Sequence, residues 1–181
     1  SDVAQVLGEV GIKVNEIGVN QEFDIGEIKI KTVAIPHCKL LFCRKCGKQL
    51  LANELIPKIK KCKLHPEVEL VKVDGPSNTG FLISSANEKQ GTKLPIDNIL
   101  FHPVDGTEIE DLTCQNAIVP IAGPTIDFNI AWKFAASLLA KRIIPMHYSH
   151  PSFPADPAEF AKTNKFEIDV KILADGEGLK I

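Results

Sequence analysis

A mixed α/β chain, with helices spaced between apolar β runs and one small metal-stapled insertion, is the fold class this sequence predicts. Three observations lead there. Three apolar runs each end in metal-type side chains: Ile28 to Ile35 before Pro36-His37, Ile96 to Phe101 before Val104-Asp105-Gly106, and Arg142 to Ile144 before Pro145-Met146-His147-Tyr148. Two helix-like segments, opened by Asp127 and by Asp156-Pro157-Ala158-Glu159, lie between β runs. Residues 38–66 then break the pattern, being rich in Cys and Lys within an otherwise strand-rich chain.

The elements follow in order. Val3, Val6, Leu7 and Val10 fall at i, i+3, i+4 and i+7, which predicts a helix over 2–10 stopped by Gly11. Lys13 to Ile17 and Glu22 to Ile25 read as short strands. Glu27 to Lys31 alternates as a half-buried strand should and runs into the apolar Val33-Ala34-Ile35. After the insertion, strands resume at Val68 to Val73 and Gly80 to Ser84, with turn chemistry in Asp74-Gly75-Pro76-Ser77-Asn78. Ser85 to Lys93 is polar and reads as a loop. Ile96 to His102 and Ala117 to Ile121 are buried-type strands. Asp127 caps a helix expected to reach about Lys141. Asp156-Pro157-Ala158-Glu159 combines an N-cap, a first-position proline and a capping-box glutamate. Phe166 to Leu173 alternates as a last strand, Asp175-Gly176 turns, and Leu179 to Ile181 could pair back.

The bulk properties bound the class. At 181 residues, the length fits one domain with an insertion. A net charge of −2 excludes a global attraction to nucleic acid or membrane. There is no apolar run of the roughly 18 residues that a membrane-spanning helix needs. Ser1 to Gln5 lacks the basic head and apolar stretch of a signal peptide. Five cysteines, two of them in a C-x-x-C, then favour metal over disulfides and a cytoplasmic setting.

Cys43-x2-Cys46 and Cys62-x2-His65 stand fifteen residues apart, a pair of short knuckles suited to a tetrahedral structural zinc. Gly47 follows the first pair, where the chain must turn tightly. A closed four-ligand site has no open coordination position, so catalysis is not expected there. The module also carries Arg44, Lys45, Lys48, Lys58, Lys60, Lys61 and Lys63. Such a patch can contact phosphates, although a solvated face is the blander reading and Phe42 is the one aromatic among these residues.

The other chemistry-bearing residues, His37, Asp105 and His147, are types that bind zinc, manganese or iron. The segment Ala117-Ile118-Val119-Pro120-Ile121-Ala122-Gly123, a helix, then Ile143-Ile144-Pro145-Met146-His147-Tyr148 and Asp156-Pro157-Ala158-Glu159-Phe160 resembles the metallo-β-lactamase fold superfamily of metal-dependent hydrolases. The branch it looks most like includes ascorbate-6-phosphate lactonase-like proteins. The resemblance implies part of an αββα sandwich formed by 1–37 and 67–181, with 38–66 as an inserted zinc-binding module. It makes His147 a ligand of the second metal. It aligns Asp105 with the family's metal-bridging Gly-Asp-Thr aspartate, here with Val104 for glycine and Gly106 before Thr107. It aligns His37 with the histidine of a strand-Pro-x-His motif on the first metal. Tyr148 and His150 would then contact substrate or support the ligands, and His102 is a further supporting candidate.

The family's His-x-His-x-Asp-His motif is not present among His37, His65, His102, His147 and His150. The resemblance therefore covers the later part of the family domain. It implies a fragment, a chain completed by a partner, or a scaffold that has lost catalysis; an incomplete sandwich would also expose a sheet face for self-association or for the missing half. Two functions remain open. One is a hydrolase acting on a small-molecule ester, lactone or phosphoester through a metal-activated water. The other is a non-catalytic zinc-knuckle module on a degenerate scaffold, binding RNA or protein.

Overall fold

The computed structural model describes residues 2–36, 39–51, 61–74, 77–85 and 99–181. His37, most of the 85–93 loop and the start of the expected 96–102 strand lie outside them. In chain order the described elements are α1 (Asp2–Glu9), β1 (Glu22–Ile25), β2 (Ile28–Pro36), β3 (Lys39–Phe42), β4 (Gln49–Leu51), β5 (Val71–Asp74), β6 (Ser77–Ser85), β7 (Leu100–His102), β8 (Asn116–Pro120), α2 (Phe128–Ser137), β9 (Arg142–Met146), α3 (Pro157–Lys162) and β10 (Asp169–Val170).

Seven strands form one mixed sheet in the order β1-β2-β6-β7-β8-β9-β10. The pairs β1–β2, β2–β6 and β6–β7 are antiparallel, whereas β7–β8, β8–β9 and β9–β10 are parallel. Parallel neighbours need a crossover, and α2 and α3 supply it after β8 and β9. Two antiparallel steps separate β2 from β7, so β2 runs in the same direction as β7, β8 and β9. The exits of all four strands therefore lie on one edge of the sheet.

The core forms where α2 meets this sheet. Ala131, Phe134, Ala135 and Leu138 recur at helical spacing and are buried with Phe101, Val119 and Ile143. Trp132 stacks on Phe160 of α3 at 4.2 Å between ring centroids, and its indole N–H donates to Thr163 Oγ1 at 2.9 Å. Both N-caps form: Asp127 accepts from the Ile130 amide at 2.8 Å and Asp156 from the Ala158 amide at 2.8 Å, while Glu159, expected to close a capping box, accepts from Lys162 Nζ at 2.7 Å. Each such cap contributes about 0.5–2 kcal/mol.

Four elements differ from expectation. Lys13 to Ile17 is not a strand, because no ladder partner meets it; the chain instead docks at 18–21 on the buried Thr32, whose hydroxyl donates to the Gly18 carbonyl at 2.7 Å. Helix α2 ends at Ser137, short of Lys141. Leu139 takes a left-handed φ of 54° there, which lets the amides of Lys141 and Arg142 reach the Gln115 carbonyl and start β9. Strand β10 is confined to Asp169–Val170, following a left-handed Glu167. Leu179 to Ile181 does not pair.

A second, three-stranded sheet has the order β4-β3-β5. The strand expected to rejoin the main sheet after the insertion is β5, and it pairs with β3. The small sheet thus reaches Asp74, past the expected module end at 66. Its register is informative. In the main sheet Pro36 faces Ser77, and in the small sheet Lys39 faces Asp74. The spacing between these pairs is equal on both strands, and the small sheet is joined to the ends of β2 and β6 that lie on the edge carrying the strand exits.

Candidate metal centres

The first centre is local in sequence. Two tight turns build it. Gly47, at φ 70°, lets its amide donate to the Cys43 carbonyl at 2.8 Å, while the Cys43 amide donates to the Lys48 carbonyl at 3.0 Å. In the second turn the His65 amide donates to the Cys62 carbonyl at 3.2 Å, and the Val68 amide to the His65 carbonyl at 2.9 Å. The turns aim Cys43, Cys46, Cys62 and His65 at one point, with all four ligand atoms within 4.8 Å of one another. Cys46 Sγ lies 3.7 Å from Cys62 Sγ, and His65 Nδ1 lies 3.8 Å from the sulfurs of both Cys43 and Cys62. A tetrahedral zinc, with bonds of about 2.3 Å to sulfur and 2.0–2.1 Å to nitrogen, has S···S edges of about 3.8 Å and S···N edges of about 3.6 Å. The donor set fits that ion. The cysteines are free thiols rather than a disulfide.

Electrostatics favour ligation. Burial raises the Cys43 thiol, but hydrogen bonds from the Cys46 and Lys45 amides and from the Cys46 and Cys62 thiols outweigh it and hold its pKa at about 6. At Cys46 the Lys48 amide lowers the thiol, yet burial and the neighbouring sulfurs together push it up. The cluster thus favours ionisation at Cys43, and binding a cation would release the thiol protons that remain.

The second centre is the sheet edge. Asp105 follows β7, and its carboxylate accepts a hydrogen bond from the Asn78 side-chain amide at the start of β6. Gly106 is pressed against the end of β2. A Cβ there would meet the Ile35 side chain at 2.7 Å and the Pro36 carbonyl at 3.1 Å, so glycine is required for the loop to sit beside the exit of β2. His147 follows β9 in a left-handed conformation, φ 61°. Its Nδ1 lies 2.7 Å from the Ala122 carbonyl. A carbonyl can only accept, so Nδ1 carries the proton and the lone pair of the neutral ring is on Nε2. Beside it, an open cleft of about 510 Å³ is lined by Ala122, Gly123, Asp127, Phe128, Phe153 and Pro154 among others.

The other candidates fall as follows. Tyr148 packs against the core. His150 is exposed, its ring parallel to that of His147 with centroids 6.4 Å apart. His102 is half-buried, accepts from the Val104 amide through Nδ1 at 3.0 Å, and has its pKa lowered by burial, with its backbone hydrogen bond opposing. His37 lies outside the described residues. Among the described residues, the Cys43, Cys46, Cys62 and His65 set is the one group of three or more metal-type side chains close enough to share an ion. Asp105 and His147 follow strands that end on one edge, and among the described residues no third metal-type side chain groups with them, where a catalytic zinc site has three protein ligands. Sequence reasoning missed Asn78, which reads as a turn residue; its contact with Asp105 spans two strands and leaves no local pattern.

Comparison with known proteins gives the class. No family model matches the chain, and no curated protein matches it either. Solved structures do. Igni18, a novel metallo hydrolase from the hyperthermophilic archaeon Ignicoccus hospitalis, matches with a TM-score of 0.58 at 16% identity, over 97% of this chain and 64% of that one. The metallo-β-lactamase fold protein YhfI from Bacillus subtilis matches with a TM-score of 0.54 at 10% identity, over 96% of this chain and 59% of that one. The mixed sheet and its flanking helices are therefore a metallo-β-lactamase fold. At these identities the likeness is one of fold, and the chain spans about 60% of the length of the structures it matches. No described helix is long and apolar enough to cross a membrane.

Proposed function

We propose that this chain is part of a metal-dependent hydrolase acting on a small-molecule ester, lactone or phosphoester, and that Cys43, Cys46, Cys62 and His65 hold a structural zinc. What supports the reading is that Asp105 follows β7 and His147 follows β9, two of the strands that end on the same edge as β2 and β8, in a fold like that of the metallo hydrolases it matches. There His147 would bind zinc, manganese or iron through Nε2 and Asp105 through its carboxylate, with His37 as the expected third ligand. When bound, such a centre supplies an activated water and polarises the substrate oxygen. The protein's own part is orientation: the Ala122 carbonyl fixes the His147 tautomer, Asn78 aims Asp105, and the cleft beside Gly123 receives the substrate. The apolar residues exposed at the N-terminal end, Val6, Val10, Ile12 and Ile17, suit association with a further copy or domain that completes the site.

Elemental mass spectrometry on wild type, Cys43→Ser/Cys62→Ser and Asp105→Asn/His147→Ala tests both halves, with turnover of aryl esters, lactones and bis-aryl phosphates measured alongside. The expected result is zinc lost in the first variant, and edge-bound metal and turnover lost in the second. Metal content and turnover unchanged in the second variant would overturn the hydrolase reading.

A further inference from the structure

The small sheet is electrostatically unlike the rest of the chain. Residues 39–74 hold nine Lys and Arg against four Asp and Glu, a formal charge of +5. The remaining residues hold twelve against nineteen, a formal charge of −7. The overall −2 hides this division. The boundary between the two charge regions is also a structural one, because 39 and 74 are the residues paired where the small sheet begins. Three thiolates on a divalent zinc remove only one unit of positive charge, so the zinc-bound arm remains strongly basic.

The described cations are placed for contact. Arg44, Lys48, Lys61 and Lys63 are exposed on and around the two zinc turns, while Lys45 is engaged with Glu67 at 2.7 Å. The zinc turns hold this charge on a fixed frame, so less side-chain and loop ordering is needed on binding. The arm is joined to the sheet edge where the strands preceding Asp105 and His147 end. The acidic body repels a polyanion, and the arm attracts it.

We infer that the zinc-stapled arm binds the phosphodiester backbone of a nucleic acid beside the strand-exit edge. A lipid surface fits less well, because the exposed residues described around the zinc turns are mainly cationic, with Leu64 the large apolar side chain exposed among them. The shortage of exposed aromatic rings implies contact with phosphates rather than stacking on bases, and so little sequence preference. This inference does not depend on the hydrolase reading, since binding can be measured without turnover.

The test is fluorescence anisotropy of a labelled single-stranded RNA of mixed sequence, with its DNA counterpart and phosphatidylserine vesicles run in parallel on the zinc-loaded chain. Engagement of about four phosphates predicts binding that weakens about 50-fold between about 50 and 200 mM salt. Lys48→Glu/Lys63→Glu is expected to weaken binding at least about 10-fold with zinc content unchanged, while Lys165→Glu, an exposed change on the body, leaves it within about twofold. Three results would overturn the inference: no binding at low salt, equal weakening by Lys165→Glu, or binding to the vesicles in place of the oligonucleotides.

Discussion

The zinc arm and the sheet edge gather polar ligands by different routes. In the arm, four ligand atoms come from a span of residues 43 to 65, and two tight turns suffice to aim them. At the edge, Asn78, Asp105, Ala122 and His147 come from successive strand ends, and the contacts of Asn78 with Asp105 and of His147 with Ala122 exist only because β6 and β7, and β8 and β9, are neighbours in one sheet. A local site can be stabilised by its metal alone, whereas a distributed site inherits its precision from the core beneath it. The two centres should therefore fail separately.

The largest separation is expected from Cys62→Ser. Structural zinc in small modules is worth about 10–16 kcal/mol of apparent binding energy, so losing a ligand should empty the site and unfold the small sheet. Limited proteolysis should then cut within 39–74 while the seven-stranded sheet keeps its thermal transition. Loss of that transition as well would show that the arm is not built independently.

Next comes His147→Ala, which removes the ligand proposed for the edge. Edge-bound metal should weaken by about 100-fold or more, above the 10–100-fold typical of a supporting residue, with arm zinc retained. Equal loss of both metals would collapse the distinction between the centres.

Asn78→Ala sharpens it further. Asn78 orients Asp105 without being a ligand, so edge-metal affinity should fall about 10-fold, and Asn78→Asp should not restore it, because a carboxylate cannot donate to Asp105. Isothermal titration with manganese reads this directly.

The smallest effect concerns pH. Burial lowers the pKa of His102 below its ordinary value of 6.5, so the unfolded chain takes up the proton first. Stability from this residue is present above 6.5 and is lost as pH falls below it. The urea midpoint should drop between about pH 7.5 and 5.5, and less so in His102→Gln. A drop of the same size in both chains would place the titration elsewhere.

The legibility of the two regions follows from the same difference. The cysteine knuckles could be read directly, because C-x-x-C and C-x-x-H place ligands within one turn of chain. The caps at Asp127 and Asp156 were equally legible, since capping is a contact between residues a few positions apart. The allegiance of β5 was not, because Val68 to Val73 is a strand-type run that suits either sheet and pairing partners carry no local mark. The early end of α2 was hidden for a related reason: apolar periodicity continues to Leu138, and the stop is imposed by Gln115 on a neighbouring strand.

By itself, then, the sequence determined the mixed α/β class, the cluster of Cys43, Cys46, Cys62 and His65 and the capped helices, whose turns and caps rest on interactions within a few residues. The tertiary structure alone decided that the arm is joined to the ends of β2 and β6, that Asn78 meets Asp105, and that the Ala122 carbonyl sets the tautomer of His147. Those contacts join residues far apart in the chain, and their geometry exists only once the sheet has ordered its strands.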